Sequence, residues 1–195
     1  MMEKVETGTR LTIEEFLEMA ERPEYTGYRL ELIDGEVYMT AAFLNHGEIA
    51  AFILVKLGSF VYEHRLGRVI AAETGIQLGD GALIAPDVGF FSRDRAPERL
   101  PASYDYPHAP DLIVEVVSKS NSATEIQAKL NKYFAHGCKM AWIVYPSVRH
   151  VWVYTPNGDG SMTLRDLGPE ETLTGGDVVP GFTLPVRAIF EDATA

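Results

Sequence analysis

The sequence predicts an α/β fold, and three observations carry that prediction. The run Leu112–Val117, a helical stretch Ala123–Ala135 with Gly137 as its stop, and Ala141–Tyr145 form a strand, helix, strand unit. A unit of that length implies parallel strands joined by a right-handed crossover. Two turn signals, Asp34-Gly35 and Asn157-Gly158-Asp159-Gly160, each lie between arms that read as strands. Finally, about His46–Arg65 carries Ile49, Phe52, Ile53, Leu57, Phe60 and Val61 at the spacing of a long, mostly buried helix.

Along the chain, Thr12-Ile13-Glu14-Glu15 reads as a capping box that opens a helix running to about Glu21, before Pro23. Tyr28–Thr40 reads as a hairpin about Asp34-Gly35. The long helix follows, with Gly67 placed to end it. Arg68–Leu78 and Ala82–Phe91 read as two strands joined by Gly79-Asp80-Gly81, the second with a Pro-marked bend at Pro86-Asp87, and a loop rich in Pro, Arg and Asp leads to Pro110. After the parallel unit, Val151–Thr155 and Met162–Asp166 form a hairpin, and Gly176–Phe190 folds back over the body through Phe182, Leu184 and Ile189. No repeat or linker interrupts this order, so one domain over residues 1–195 is expected.

Composition narrows the class of function. A hydrophobic share of 46% and a charged share of 23% suit a globular protein. The most apolar segment, Ile49–Tyr62, is short for a membrane span and is interrupted by Lys56, and the N-terminus lacks the apolar region of a signal peptide. A single cysteine, Cys138, precludes an intrachain disulfide, so a cytoplasmic protein without a membrane partner is expected. The net charge of -11 argues against binding nucleic acid through a broad basic surface. Arg93, Arg95 and Arg99 share one loop with Asp94 and Glu98, which reads as a solvated surface.

Two carboxylates stand out against this background. Glu115 interrupts a strand with the length and branching of one buried on both faces, and Asp87 follows Pro86 after the apolar stretch Ala82–Ala85. An ionised carboxylate in such a setting costs several kcal/mol unless a cation or metal balances it. Acids at the ends or kinks of neighbouring strands suit a hard divalent cation; pairing with an arginine is the alternative. Lys129 lies on the border of the apolar face formed by Ile126, Leu130, Tyr133 and Phe134. From there its stem can follow the core and deliver the ammonium to a strand end. An exposed pair with Glu125, four residues earlier, is the other reading. Asp111, after a proline and before the strand, reads as a strand-start cap, and Tyr133 as core.

The order and spacing of several pieces resemble the restriction-endonuclease-like PD-(D/E)XK superfamily, and within it the Uma-two family of endonucleases. These pieces are Glu31-Leu32-Ile33-Asp34-Gly35-Glu36, His46, Ala85-Pro86-Asp87-Val88, Pro110–Ser118, Lys129 with Tyr133 and Gly137, Trp142–Pro146, and Gly181-Phe182, spanning about Leu11–Phe190. The resemblance implies a central mixed β-sheet flanked by helices, with a C-terminal β-hairpin. It implies that Asp87 and Glu115 hold magnesium or manganese, helped by the carbonyl of Val116, and that Glu31, rather than Glu36, completes the site. The superfamily lysine expected two residues after Glu115 is Val117 here, and the resemblance assigns its role to Lys129. His46 would contact a metal-bound water or a phosphate, or else cap its helix with Asn45. Apart from the resemblance, Glu73 shares one face of the strand before Asp87 with Gln77, which makes it a candidate outer member of the acid cluster. The implied function is metal-dependent hydrolysis of DNA phosphodiester bonds, with a homodimer suited to cutting both strands. The alternatives are a catalytically silent module of the same fold that binds nucleic acid or protein, and a hydrolase of smaller phosphodiesters.

Overall fold

The computed structural model describes residues 2–40, 44–96, 99–104, 106, 108–118 and 122–191. In chain order the elements are β1 (Met2–Val5), α1 (Ile13–Ala20), β2 (Arg29–Ile33), β3 (Glu36–Thr40), α2 (Leu44–Glu63), β4 (Gly67–Ala71), β5 (Ile76–Gln77), β6 (Leu83–Ile84) and β7 (Val88–Ser92). There follow β8 (Leu112–Val116), α3 (Ala123–Ala135), β9 (Met140–Tyr145), β10 (His150–Pro156), β11 (Met162–Leu167), β12 (Thr172–Thr174), β13 (Thr183–Pro185) and α4 (Arg187–Phe190).

Six strands form the main sheet in the order β11-β10-β9-β8-β7-β4, in which only β8 and β9 run parallel. Alternation along β8 divides its residues between two layers. Leu112, Val114 and Val116 join Trp142 and Val144 in a core with Ile53, Leu57 and Val61 of α2 and with Phe182, Leu184 and Ile189 of the returning tail. Ile113, Ala141 and Ile143 belong instead to the core with Ile126, Leu130 and Tyr133 of α3. Glu115 therefore projects into the α3 layer, two residues beyond Ile113. A second, antiparallel sheet, β1-β3-β2-β6-β5, packs Leu32 and Val37 against Ile13, Phe16 and Met19 of α1.

The capping box at Thr12, the Asp34-Gly35 hairpin, the parallel unit and the β10–β11 hairpin all form where the sequence places them, and the structure adds a second capping box, at Ser122, that opens α3. Three expectations require correction. Gly67 does not stop α2. Arg65, at φ 54, takes the left-handed position, and the Leu66 and Arg65 N–H groups donate to the Val61 and Tyr62 carbonyls. Gly67 instead begins β4, where a Cβ would strike the carbonyl oxygen of Phe91.

The two long strands are each broken. Arg68–Leu78 divides into β4 and β5, with Glu73 at φ 68 in the break, and Ala82–Phe91 divides into β6 and β7 around Pro86, which has no N–H to offer a ladder. Because β4 pairs with β7 and β5 pairs with β6, this bent hairpin passes from one sheet to the other. The bend brings Asp87 to the junction and leaves Glu73 exposed, off any strand. Finally, α2 begins at Leu44, and its 20 residues, which include an 18-residue stretch of mean hydropathy 1.2, would suffice in length and apolarity to cross a bilayer. Its buried residues Ile49, Ala50, Ile53, Leu57, Gly58 and Val61 pack into the protein as those of a core helix do.

Candidate active site

At the junction of the two sheets, side chains from five parts of the chain meet. Alternation along β2 sends Leu30 and Leu32 toward α1 and leaves Arg29 and Glu31 on the opposite face. Asp87 is supplied by the Pro86 bend, Glu115 by β8, His46 by the first turn of α2, and Lys129 and Tyr133, one helical turn apart, by α3. Glu31, Asp87, Glu115 and Lys129 are all buried.

Asp87 is fixed by its own backbone as well as by its neighbours. Its N–H donates to the Val114 carbonyl at 3.0 Å, while its Oδ2 accepts the Val116 N–H at 2.8 Å. The carboxylate thus continues the ladder that Pro86 ends. Its Oδ1 accepts Arg29 Nη1 at 2.8 Å, and His46 Nε2 lies 3.2 Å from Oδ2. Burial alone would raise the Asp87 pKa, but the His46 hydrogen bond and the Arg29 charge prevail and lower it. The same hydrogen bond raises the pKa of His46, against its burial. His46 therefore contacts Asp87 with its side chain.

Glu31 accepts the Ala85 N–H at 3.0 Å and a 3.4 Å contact from Arg29 Nη2 on one oxygen; the other lies 2.7 Å from Lys129 Nζ. Glu115 receives the same ammonium at 3.2 and 3.3 Å and the Tyr133 hydroxyl, which donates at 3.0 Å. Burial pushes the Glu115 pKa up to about 7, with Lys129 opposing the rise and Asp87 and Glu31 adding to it. Burial disfavours charge on Lys129, yet Glu115 and Glu31 outweigh it and raise its pKa, so it stays an ammonium.

These contacts settle several of the alternatives. Lys129 is buried among acids and is not half of an exposed pair; Glu125 instead accepts the Ser122 N–H at 2.9 Å. Tyr133 is fully buried, as a core residue would be, but its hydroxyl also belongs to the cluster. Asp111 does cap its strand: it accepts the Ser92 N–H at 2.8 Å and pairs with Arg95 and Lys139. Arg95 is accordingly anchored and not part of a solvated loop; Glu98 lies outside the described residues. Glu73, exposed where the three acids are buried, lines two cavities beside Arg29, one of which Asp87 also lines.

Sequence reasoning missed Arg29. Its signal was present, since Arg29 and Glu31 share one face of a strand whose other face is Leu30 and Leu32. Two charged residues on an inward face call for counter-charges. The guanidinium bridges Asp87 and Glu31, also donates to the Ala85 carbonyl, and is held charged by Glu31, Asp87 and Glu115 against its burial.

The donor set suits a hard divalent cation: three buried carboxylates from separate elements, none with all of its roughly four acceptor positions used. The Val116 N–H faces Asp87, and in an extended strand a residue's carbonyl faces the same edge as its N–H. Among the described residues, no three His, Cys, Asp or Glu side chains are gathered as a ready metal cage. Arg29 and Lys129 reach in among the acids and supply the positive charge.

A family model named Uma2 and described as "Putative restriction endonuclease" matches residues 13–187. Among solved structures, one described as a "putative nuclease belonging to DUF820" from Anabaena variabilis is similar over 92% of this chain and 97% of its own. It has 23% sequence identity and a TM-score of 0.76. No curated protein matches. The fold expected from the sequence, restriction-endonuclease-like α/β, is the fold of this chain.

Proposed function

The chain belongs to the Uma2 family of restriction-endonuclease-like proteins, and from that premise we propose that it is a metal-dependent endonuclease that hydrolyses DNA phosphodiester bonds. One observation supports this reading most: the Lys129 ammonium lies between the buried carboxylates Glu31 and Glu115, in a chain whose strand carries Val117 where the superfamily lysine would stand. Asp87, Glu115 and Glu31, with the Val116 carbonyl, would hold magnesium or manganese. When bound, such an ion supplies a Lewis acid that polarises the scissile phosphate and makes a nucleophile of water at neutral pH.

The chain's own residues divide the remaining work. Lys129, held protonated, is an electrostatic stabiliser of the charge that develops on the phosphate oxygens, not a base. Tyr133 orients Glu115 by donating to Oε1, and the Val116 N–H fixes Asp87. His46 keeps Asp87 ionised and stands beside the cavity of about 550 Å³ that also reaches Tyr28, Arg29 and Glu73. That cavity is the approach we assign to the phosphodiester.

Relaxation of supercoiled plasmid tests the reading. Cleavage should require magnesium or manganese and should vanish in Asp87→Asn, which retains a side-chain oxygen for the Val116 N–H. One observation favours a silent binding module: Arg29, Lys129 and His46 already counterbalance the acids. DNA binding without cleavage, unaffected by Asp87→Asn, would select that module.

A further inference from the structure

We propose that Arg29 is an internal competitor for the metal site: its guanidinium takes the place of a cation between Asp87 and Glu31, and metal can enter only when it leaves. The inference rests on the metal-site reading above and adds a residue that the reading does not assign.

Four observations carry it. The guanidinium places one nitrogen on each of two acids, 2.8 Å from Asp87 Oδ1 and 3.4 Å from Glu31 Oε1, and so occupies acceptor positions a metal would need. Charge accounts for its presence, because three buried carboxylates would otherwise share Lys129 and a titratable His46 as counter-ions. Its resting position is not fully satisfied, since the buried Nε has no hydrogen-bond partner and an unpaired buried donor carries a desolvation cost. It also has somewhere to go. Cavities of about 380 and 550 Å³ both include Arg29 in their walls, and both include the exposed carboxylate of Glu73. The guanidinium can therefore leave the acids without any strand of either sheet unpairing.

A divalent ion entering beside a fixed guanidinium would meet like-charge repulsion and find one acceptor position already taken on each of two of its three carboxylates. Removing the guanidinium removes both obstacles, so its loss should tighten metal binding. An arginine that merely oriented metal ligands would act in the opposite sense, because its removal would leave Asp87 and Glu31 less well placed.

The test is calorimetric titration of the intact chain with manganese chloride, beside thermal melts with and without the metal. Arg29→Met keeps an unbranched apolar stem and removes the charge. It should bind manganese at least tenfold more tightly than the unaltered protein, melt lower without metal, and gain more from metal on melting. Arg29→Lys keeps one charge but has a single ammonium in place of the fork. It should bind with an affinity between the two, and it decides the matter alone if Arg29→Met does not fold. Equal or weaker affinity in the folded variants would overturn the competition while leaving the metal site standing. No manganese binding in any of the three proteins would overturn both the competition and the metal-site reading.

Discussion

A buried carboxylate stands near each end of strand β8, Asp111 just before it and Glu115 within it, and the two ends have opposite electrostatic character. At one, Asp111 accepts a backbone N–H from Ser92 and pairs with Arg95 and Lys139, so two cations serve one acid. Its pKa is lowered: burial opposes this, and Lys139, the Ser92 N–H and Arg95 outweigh burial. At the other, Glu115 accepts no backbone N–H among the described residues and shares the Lys129 ammonium with Glu31, which holds that nitrogen more closely at 2.7 Å. Its pKa is raised to about 7, through burial first. Both carboxylates are closed to solvent, so exposure alone does not separate them. Donor supply does. An acid with more donors than it needs is a structural staple; one that must share its counter-ion is kept at a free-energy cost, as functional groups are.

Exchanging the two losses should break or sharpen this contrast most strongly. Glu115→Gln should abolish manganese binding and DNA cleavage while leaving metal-free stability equal or higher, because it removes an under-neutralised charge. Asp111→Asn should do the reverse. It should cost about 2 kcal/mol in urea denaturation, below the 3–5 kcal/mol of a wholly buried pair because Lys139 is partly solvated. Cleavage per folded molecule should not change. If Glu115→Gln proved the less stable variant and remained active, the two ends would not differ in kind.

The lysine at the Glu115 end comes next in size. Lys129→Met should preserve folding and lower cleavage by about a hundredfold, the loss typical of an electrostatic catalyst. Val117 lies two residues beyond Glu115 and packs against the α3 layer, so Val117→Lys returns an ammonium to that layer. The double variant should recover part of the lost rate. Full activity in Lys129→Met would remove Lys129 from the site.

The same comparison predicts opposite pH slopes. The Asp111 pKa is depressed in the folded chain, so its contribution is present above the unfolded value of about 3.9 and disappears as pH falls through the folded value. Asp111→Asn should flatten the acid limb of stability against pH. Glu115 is raised, so the folded protein binds its proton more tightly than the unfolded chain between about 4.3 and about 7, and stability falls as pH rises through that window. His46, whose pKa is also raised, adds a loss of the same sign as pH climbs past its unfolded value near 6.5. Glu115→Gln should remove the lower part of that decline and leave the histidine part. Denaturant midpoints from pH 3 to 8 would distinguish the three slopes; a Glu115→Gln curve parallel to that of the unaltered protein would show that burial does not raise Glu115.

Legibility followed how local the causes were. The parallel unit could be read because apolar spacing and a stop glycine lie within it, and Asp87 and Glu115 because a charge in an apolar run is conspicuous; Lys129, which its helix alone would pair with Glu125, was joined to them only through the family resemblance. The bend at Pro86 could be read, but the break at Ala72–Gly75 was hidden, since each flanking piece is apolar enough to extend its neighbour and the cause of the break is the pairing of two sheets. Arg29 was hidden for a related reason. Alternation shows that it shares a face with Glu31, but not that this face meets Asp87, 58 residues along the chain. The Schellman-type end of α2 at Arg65 escaped because a glycine two residues later fitted the usual pattern.

The smallest expected effect isolates the assignment of Lys129 from the helix that carries it. Glu125 and Lys129 stand four residues apart on α3, a spacing at which an exposed pair would stabilise the helix by about 0.3–0.5 kcal/mol. In the structure Glu125 turns the other way and closes the capping box, accepting the Ser122 N–H while its own N–H donates to Ser122 Oγ. Glu125→Ala should therefore cost about 0.5–1 kcal/mol through loss of half a cap, and Ser122→Ala a similar amount through the other half. Combined, they should lose less than the sum, because each removes part of one reciprocal unit. Neither should alter the cleavage rate or manganese affinity, since the ammonium is fixed by Glu31 and Glu115 and not by Glu125. A rate in Glu125→Ala as low as that of Lys129→Met would mean that Glu125 sets the position of the lysine, and Lys129 would then owe its place to its own helix.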